Sequence, residues 1–150
     1  MHPHTRPRRI ATAGGVYFLL LFGAGWILGP LRELALIPAL GRIAGHALEA
    51  ALMLALMIPA ALWVIRRWKL ASPGARLAAG LVALALLLAC EALMWPLVRG
   101  RPLSEYAAHF LEPVGLISAA LFLVFAAMPL LVGAFAARGT TKNAPEGRGV

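Results

Sequence analysis

Aspartate is absent from this chain, cysteine occurs once, and charged residues of every kind make up only 13% of it. Each shortage closes a line of chemistry. Without aspartate many catalytic constellations cannot be assembled, and no hydrolase triad, phosphate-binding loop or zincin helix is present. The lone Cys90 excludes an intramolecular disulfide, a CxxC redox pair and a thiolate zinc knuckle. Soluble domains carry about 25% charge and about 45–50% apolar residues. Here 61% of 150 residues are hydrophobic and the mean hydropathy is +0.83. A soluble fold of this size cannot hide so much apolar surface, so lipid is the expected solvent.

The formal net charge is +8. The basic residues stand in short clusters between apolar segments, with no aromatic-and-basic stripe, which argues against nucleic acid. Four segments are long enough to span a bilayer, at about residues 10–28, 43–65, 77–98 and 114–136. At about 1.5 Å rise per residue each covers about 28–35 Å, close to a hydrocarbon core of about 30 Å. Backbone exposed to lipid must satisfy its own hydrogen bonds, so helices are required. The first segment exceeds the usual apolar region of a cleaved signal and has no clean A-x-A site, so it reads as a membrane helix. The expected fold is an all-α, polytopic, antiparallel four-helix bundle over residues 1–138.

Charge placement gives an expected orientation. Ten basic residues fall with the N-terminus, the loop after the second span and the C-terminal tail. Only Arg32, Arg42, Arg99 and Arg101 fall on the other side. The positive-inside rule puts both termini in the cytoplasm of a bacterial inner membrane. Trp26 and Trp95 then mark the outer boundary, and Trp63 and Trp68 the inner one. Gly29-Pro30 is expected to end the first helix, with Pro30–Ile37 forming a short interfacial helix; a second is expected between Arg99 and Pro113. Residues 139–150 read as a disordered cytoplasmic tail. Small residues at four-residue spacing (Gly25/Gly29, Gly41/Gly45, Ala47/Ala51/Ala55, Ala79/Ala83) suit close helix approach, in a tight bundle or a homo-oligomer.

The chemistry-bearing residues gather toward the outer third. Glu49 lies six residues into the second span and Glu91 seven residues below the outer end of the third. Both are expected about 9–11 Å below the boundary, on neighbouring helices. An ionisable group at such depth costs about 2.5–3.5 kcal/mol or more, so lipid-facing positions are disfavoured. His46 shares a helix face with Glu49, while Arg32, Arg42 and Glu33 stand close above. These six residues form the candidate site for a proton, a cation or a small polar solute. The competing expectation is a structural ion pair in an accessory or assembly subunit, with Arg32 or Arg42 neutralising a glutamate.

A metal-binding version uses His46, Glu49, Glu91, His109 and Glu112. Their His-x-x-Glu order reverses the Glu-x-x-His of di-metal carboxylate bundles. A soft-metal version uses Cys90, Met53, Met57, Met94 and His46, a pattern that also suits simple packing. Pro59 and Pro129 are expected to bend their helices. An enzyme working through Glu49, Glu91 and His46 stays an open reading that no motif supports, and the sequence leaves any cofactor unknown. The expected partners are the lipid bilayer and, beyond it, a second copy or a membrane subunit.

Gly29-Pro30-Leu31-Arg32-Glu33, followed by Gly45-His46-Ala47-Leu48-Glu49 and the Arg66-Arg67 stop, resembles small four-helix bacterial inner-membrane proteins of unassigned role. The resemblance covers about the first half of the chain and implies no activity. Small multidrug transporters also have four helices and an intramembrane glutamate. Theirs lies in the first helix, and residues 10–28 contain none.

Overall fold

The computed structural model describes residues 5–142. Its elements in chain order are α1 (Thr5–Leu31), a π-helical turn (Arg32–Leu36), α2 (Ile37–Leu40), α3 (Arg42–Trp68), α4 (Pro73–Arg99), α5 (Leu103–His109) and α6 (Pro113–Lys142). Among the described residues, four helices are long and apolar enough to cross a membrane. Between 17% and 33% of the most apolar stretch of each is buried within the bundle. The outward faces carry Ile27, Leu93, Leu123 and Phe135, all largely exposed. Outward faces this apolar are consistent with a multi-pass membrane protein.

Two expectations about the segments change. The first helix does not stop at Gly29-Pro30. Helical backbone continues through the π turn to Leu40, and the chain reverses only at Gly41. Proline removes one backbone donor, and a widened π turn just beyond it lets the helix continue without a break. Gly41 has φ 85°, a left-handed conformation open to glycine, and it leads straight into α3. At the other end α6 runs to Lys142, so residues 139–142 are helical rather than tail. The remainder of that expected tail lies outside the described residues.

Helix α1 packs against α3 and α4, and α6 packs against the same two. The order around the bundle is therefore α1, α3, α6, α4. Helices α3 and α4 are consecutive in sequence but stand across a diagonal. This corrects the expectation that the helices bearing Glu49 and Glu91 are side-by-side neighbours. A short connection allows adjacency without enforcing it, and here other contacts win.

Those contacts concentrate at the end where α1 begins, α6 finishes and α3 connects to α4. Its core includes Ala13, Tyr17, Ala61, Val64, Ala79 and Ala83, each fully enclosed. A Cβ on Gly80 would collide with the Ala126 carbonyl, so α4 and α6 approach as closely as glycine permits. The Tyr17 ring stacks on Phe125 at 4.9 Å, and its hydroxyl donates to the Phe125 carbonyl at 3.2 Å. Arg9 donates to the Trp68 carbonyl at 2.7 Å and Arg76 to the Leu70 carbonyl at 2.8 Å. Both satisfy acceptors where α3 ends. Of the expected small-residue pairs, Ala79/Ala83 lies in this core, whereas Ala47, Ala51 and Ala55 face outward. Small side chains close one end of the bundle and leave the other end splayed.

Candidate functional site

Opposite the closed end the four helices part around a cleft of about 970 Å³. All six of the expected site residues, Arg32, Glu33, Arg42, His46, Glu49 and Glu91, line it. Glu49 and Glu91 project from α3 and α4, on opposite sides of the diagonal, and each is engaged by a segment that caps this end.

Arg32 opens the π turn and donates from Nη1 to Glu49 Oε2 at 2.6 Å. It also donates to Glu33 at 2.9 Å. The Arg32 and Glu49 side chains retain 18% and 15% of their exposure. The pair is thus enclosed without being fully buried, and no charged residue among those described is fully buried. The approach is set by α3's Gly45, which lies against Leu36 and Ile37 of the returning chain. Gly45 precedes Glu49 by one helical turn, so the same face carries both the contact and the carboxylate.

On the other wall the Tyr106 hydroxyl, from α5, donates to Glu91 Oε2 at 2.9 Å. Tyr106 lies in the connection between α4 and α6, and its pKa is raised from the usual 10.0. Burial is the largest cause, followed by the negative charge of Glu91 and the hydrogen bond itself. The phenol therefore stays a neutral donor. Trp95, Tyr106, Phe110 and Phe122 form a run of ring contacts at 5.1–6.0 Å along this wall. Phe18, Phe22 and Trp26 form another along α1, at 5.0 and 6.2 Å.

At the rim Arg42 reaches Glu112 at 3.4 Å, and Arg101 reaches Glu105 at 3.2 Å. His109 Nδ1 lies 3.8 Å from the same Glu112 carboxylate. His46 Nδ1 sits 2.7 Å from the Arg42 carbonyl, a distance at which the ring N–H donates to its own helix. Below the two inner carboxylates the walls turn wholly apolar, through Leu21, Met53, Met57, Leu87, Leu121 and Phe125.

The expected metal set does not assemble. His46, Glu49, Glu91, His109 and Glu112 all line the cleft, but no three His, Cys, Asp or Glu side chains among the described residues converge closely enough to hold an ion. Arg32 occupies Glu49, Tyr106 occupies Glu91, and Glu112 faces Arg42 and His109. Of the soft-metal set, Met53, Met57, Met94 and His46 line the cleft and Cys90 does not.

Sequence reasoning missed Tyr106 as a partner of Glu91 and missed the aromatic wall. Trp26 and Trp95 read only as interface markers, although both line the cleft. The available signal was the acidic residues: Glu33, Glu49, Glu91, Glu105 and Glu112 are five of the chain's six, and all five line this one cleft. The sixth, Glu146, lies outside the described residues. Compared with protein-family models, curated proteins and solved structures, the chain matches none.

Proposed function

We propose that this chain is a multi-pass membrane protein that binds a positively charged solute in the cleft, with Glu49 and Glu91 as the groups that read the charge. One observation carries the proposal. The cleft gathers five carboxylates against three guanidiniums, Arg32, Arg42 and Arg101, in a chain whose net charge is +8. A cation entering it is attracted by the local excess of negative charge, and low-dielectric walls strengthen that field. The positive-inside rule supports an orientation with the cleft open to the non-cytoplasmic side of a bacterial inner membrane.

The accessory reading has its own support in the Arg32–Glu49 bond, which ties the segment after α1 to α3. Under that reading the charges fix geometry and bind nothing. Thermal stability in detergent, measured with and without added organic or inorganic cations, separates the two. The binding reading expects a cation-dependent rise in Tm that both Glu49→Gln and Glu91→Gln abolish. Equal response of wild type and both variants would refute it. A lowered Tm in the variants with no cation response in any form would favour the accessory role.

A further inference from the structure

The chemistry of the cleft's lower half narrows the class of cation. A site built for a hydrated ion needs polar groups along its depth, because every buried charge must be solvated or hydrogen-bonded. This cleft is polar only at and above the level of Glu49 and Glu91. Glu91 and Leu87 are one turn apart on α4, and Glu49 and Met57 are eight residues apart on α3. At about 1.5 Å per residue the apolar well under the carboxylates is about 6–12 Å deep. Phe22 and Trp26 on α1 and Phe122 on α6 flank it, while Trp95, Tyr106 and Phe110 stand outward of it, around the level of Glu91. Aromatic faces attract ammonium groups, and more strongly where water is excluded. Neutral Tyr106 contributes a ring and a hydrogen bond without adding a positive charge.

We infer that the cleft's occupant is an amphiphilic organic cation, with an ammonium head held at the level of Glu49 and Glu91 and an apolar body in the aromatic and methionine-lined well. The inference rests on the cation-binding reading above. Met53 and Met57 suit such a body, since unbranched thioether side chains adapt to variable shapes. A cleft of about 970 Å³ is at the upper end of pockets that enclose ligands of several hundred daltons. An anionic amphiphile would fit the same well but would meet the excess of carboxylates.

Calorimetric titration of the full chain in lipid nanodiscs, with empty nanodiscs subtracted, tests the inference with three probes. They are octylammonium, octyl sulfonate of similar body and opposite charge, and methylammonium with the charge alone. Octylammonium is expected to bind about tenfold or more tightly than either other probe, and Glu91→Gln should weaken it by a similar factor. Phe122→Ser should weaken octylammonium by a larger factor than methylammonium. If methylammonium binds as tightly as octylammonium and Glu91→Gln weakens both, the amphiphile assignment fails while cation binding survives. If octyl sulfonate matches octylammonium, or neither amine binds, both conclusions fall. The probe comparison on the unaltered protein stands whether or not a variant folds.

Discussion

At the scale of single residues, the two inner glutamates illustrate different ways of keeping a carboxylate in poor solvent. Glu49 has a full counter-charge at 2.6 Å, and Glu91 has the neutral Tyr106 hydroxyl at 2.9 Å. Removing one half of an enclosed ion pair leaves the other charge uncompensated. Arg32→Gln is therefore expected to destabilise the fold by about 2–3 kcal/mol, and the double variant Arg32→Gln/Glu49→Gln to recover part of that loss. Denaturant unfolding of the four members of the cycle measures the coupling; strict additivity would show that the bond contributes nothing. Tyr106 makes a second prediction. Its raised pKa means that the folded state holds the phenolic proton more tightly than the unfolded chain does. The associated stability is fully present below the usual value of 10.0 and is lost as pH rises through the raised one. In a Tyr17→Phe background, where Tyr106 is the remaining tyrosine, tyrosinate absorbance should appear well above pH 10 in the folded protein. It should return to about pH 10 on unfolding.

At the scale of elements, the closed end depends on side chains that are missing rather than present. Gly80 lies where a methyl group would strike the Ala126 carbonyl, whereas a Cβ on Gly15 would meet open space. Gly80→Ala should cost about 1–3 kcal/mol by forcing α4 and α6 apart, and Gly15→Ala should be close to neutral. Thermal unfolding of both variants in one detergent compares them directly, and equal costs would mean that the close approach is not limiting. The long helices were legible in the sequence because long uninterrupted apolar segments favour a backbone that satisfies its own hydrogen bonds. Their ends were less so. Gly29-Pro30 looks like a stop signal, yet the π turn carries the helix past it to Leu40. Local residue preference there yields to the contacts that the continued helix makes with α3.

At the scale of the whole molecule, the bundle is closed at one end and splayed at the other, and the charges follow that shape. Every described acidic residue lies at the splayed end, while Arg66, Arg67, Lys69 and Arg76 lie at the closed end. The proposed orientation is checked by single cysteines in a Cys90→Ala background. Ser104→Cys, on exposed α5, should react with a membrane-impermeant thiol reagent added to intact cells. Ala71→Cys, in the exposed α3–α4 connection, should react only after permeabilisation. The reverse pattern would invert the topology.

The sequence by itself determined the helical class, the four helices long and apolar enough to span a membrane, and the grouping of acidic residues toward one end. Those properties follow from hydropathy, length and charge placement, which are additive along a chain. It also located Glu49, Glu91 and Arg32 in one region, because helical rise converts sequence position into depth. Only the tertiary structure decided that α3 and α4 stand across a diagonal, that Arg32 engages Glu49, and that Tyr106 engages Glu91. Those outcomes depend on which small side chains meet, Gly80 against Ala126 and Gly45 against Leu36 and Ile37, and such meetings are set by packing in three dimensions rather than by spacing in one.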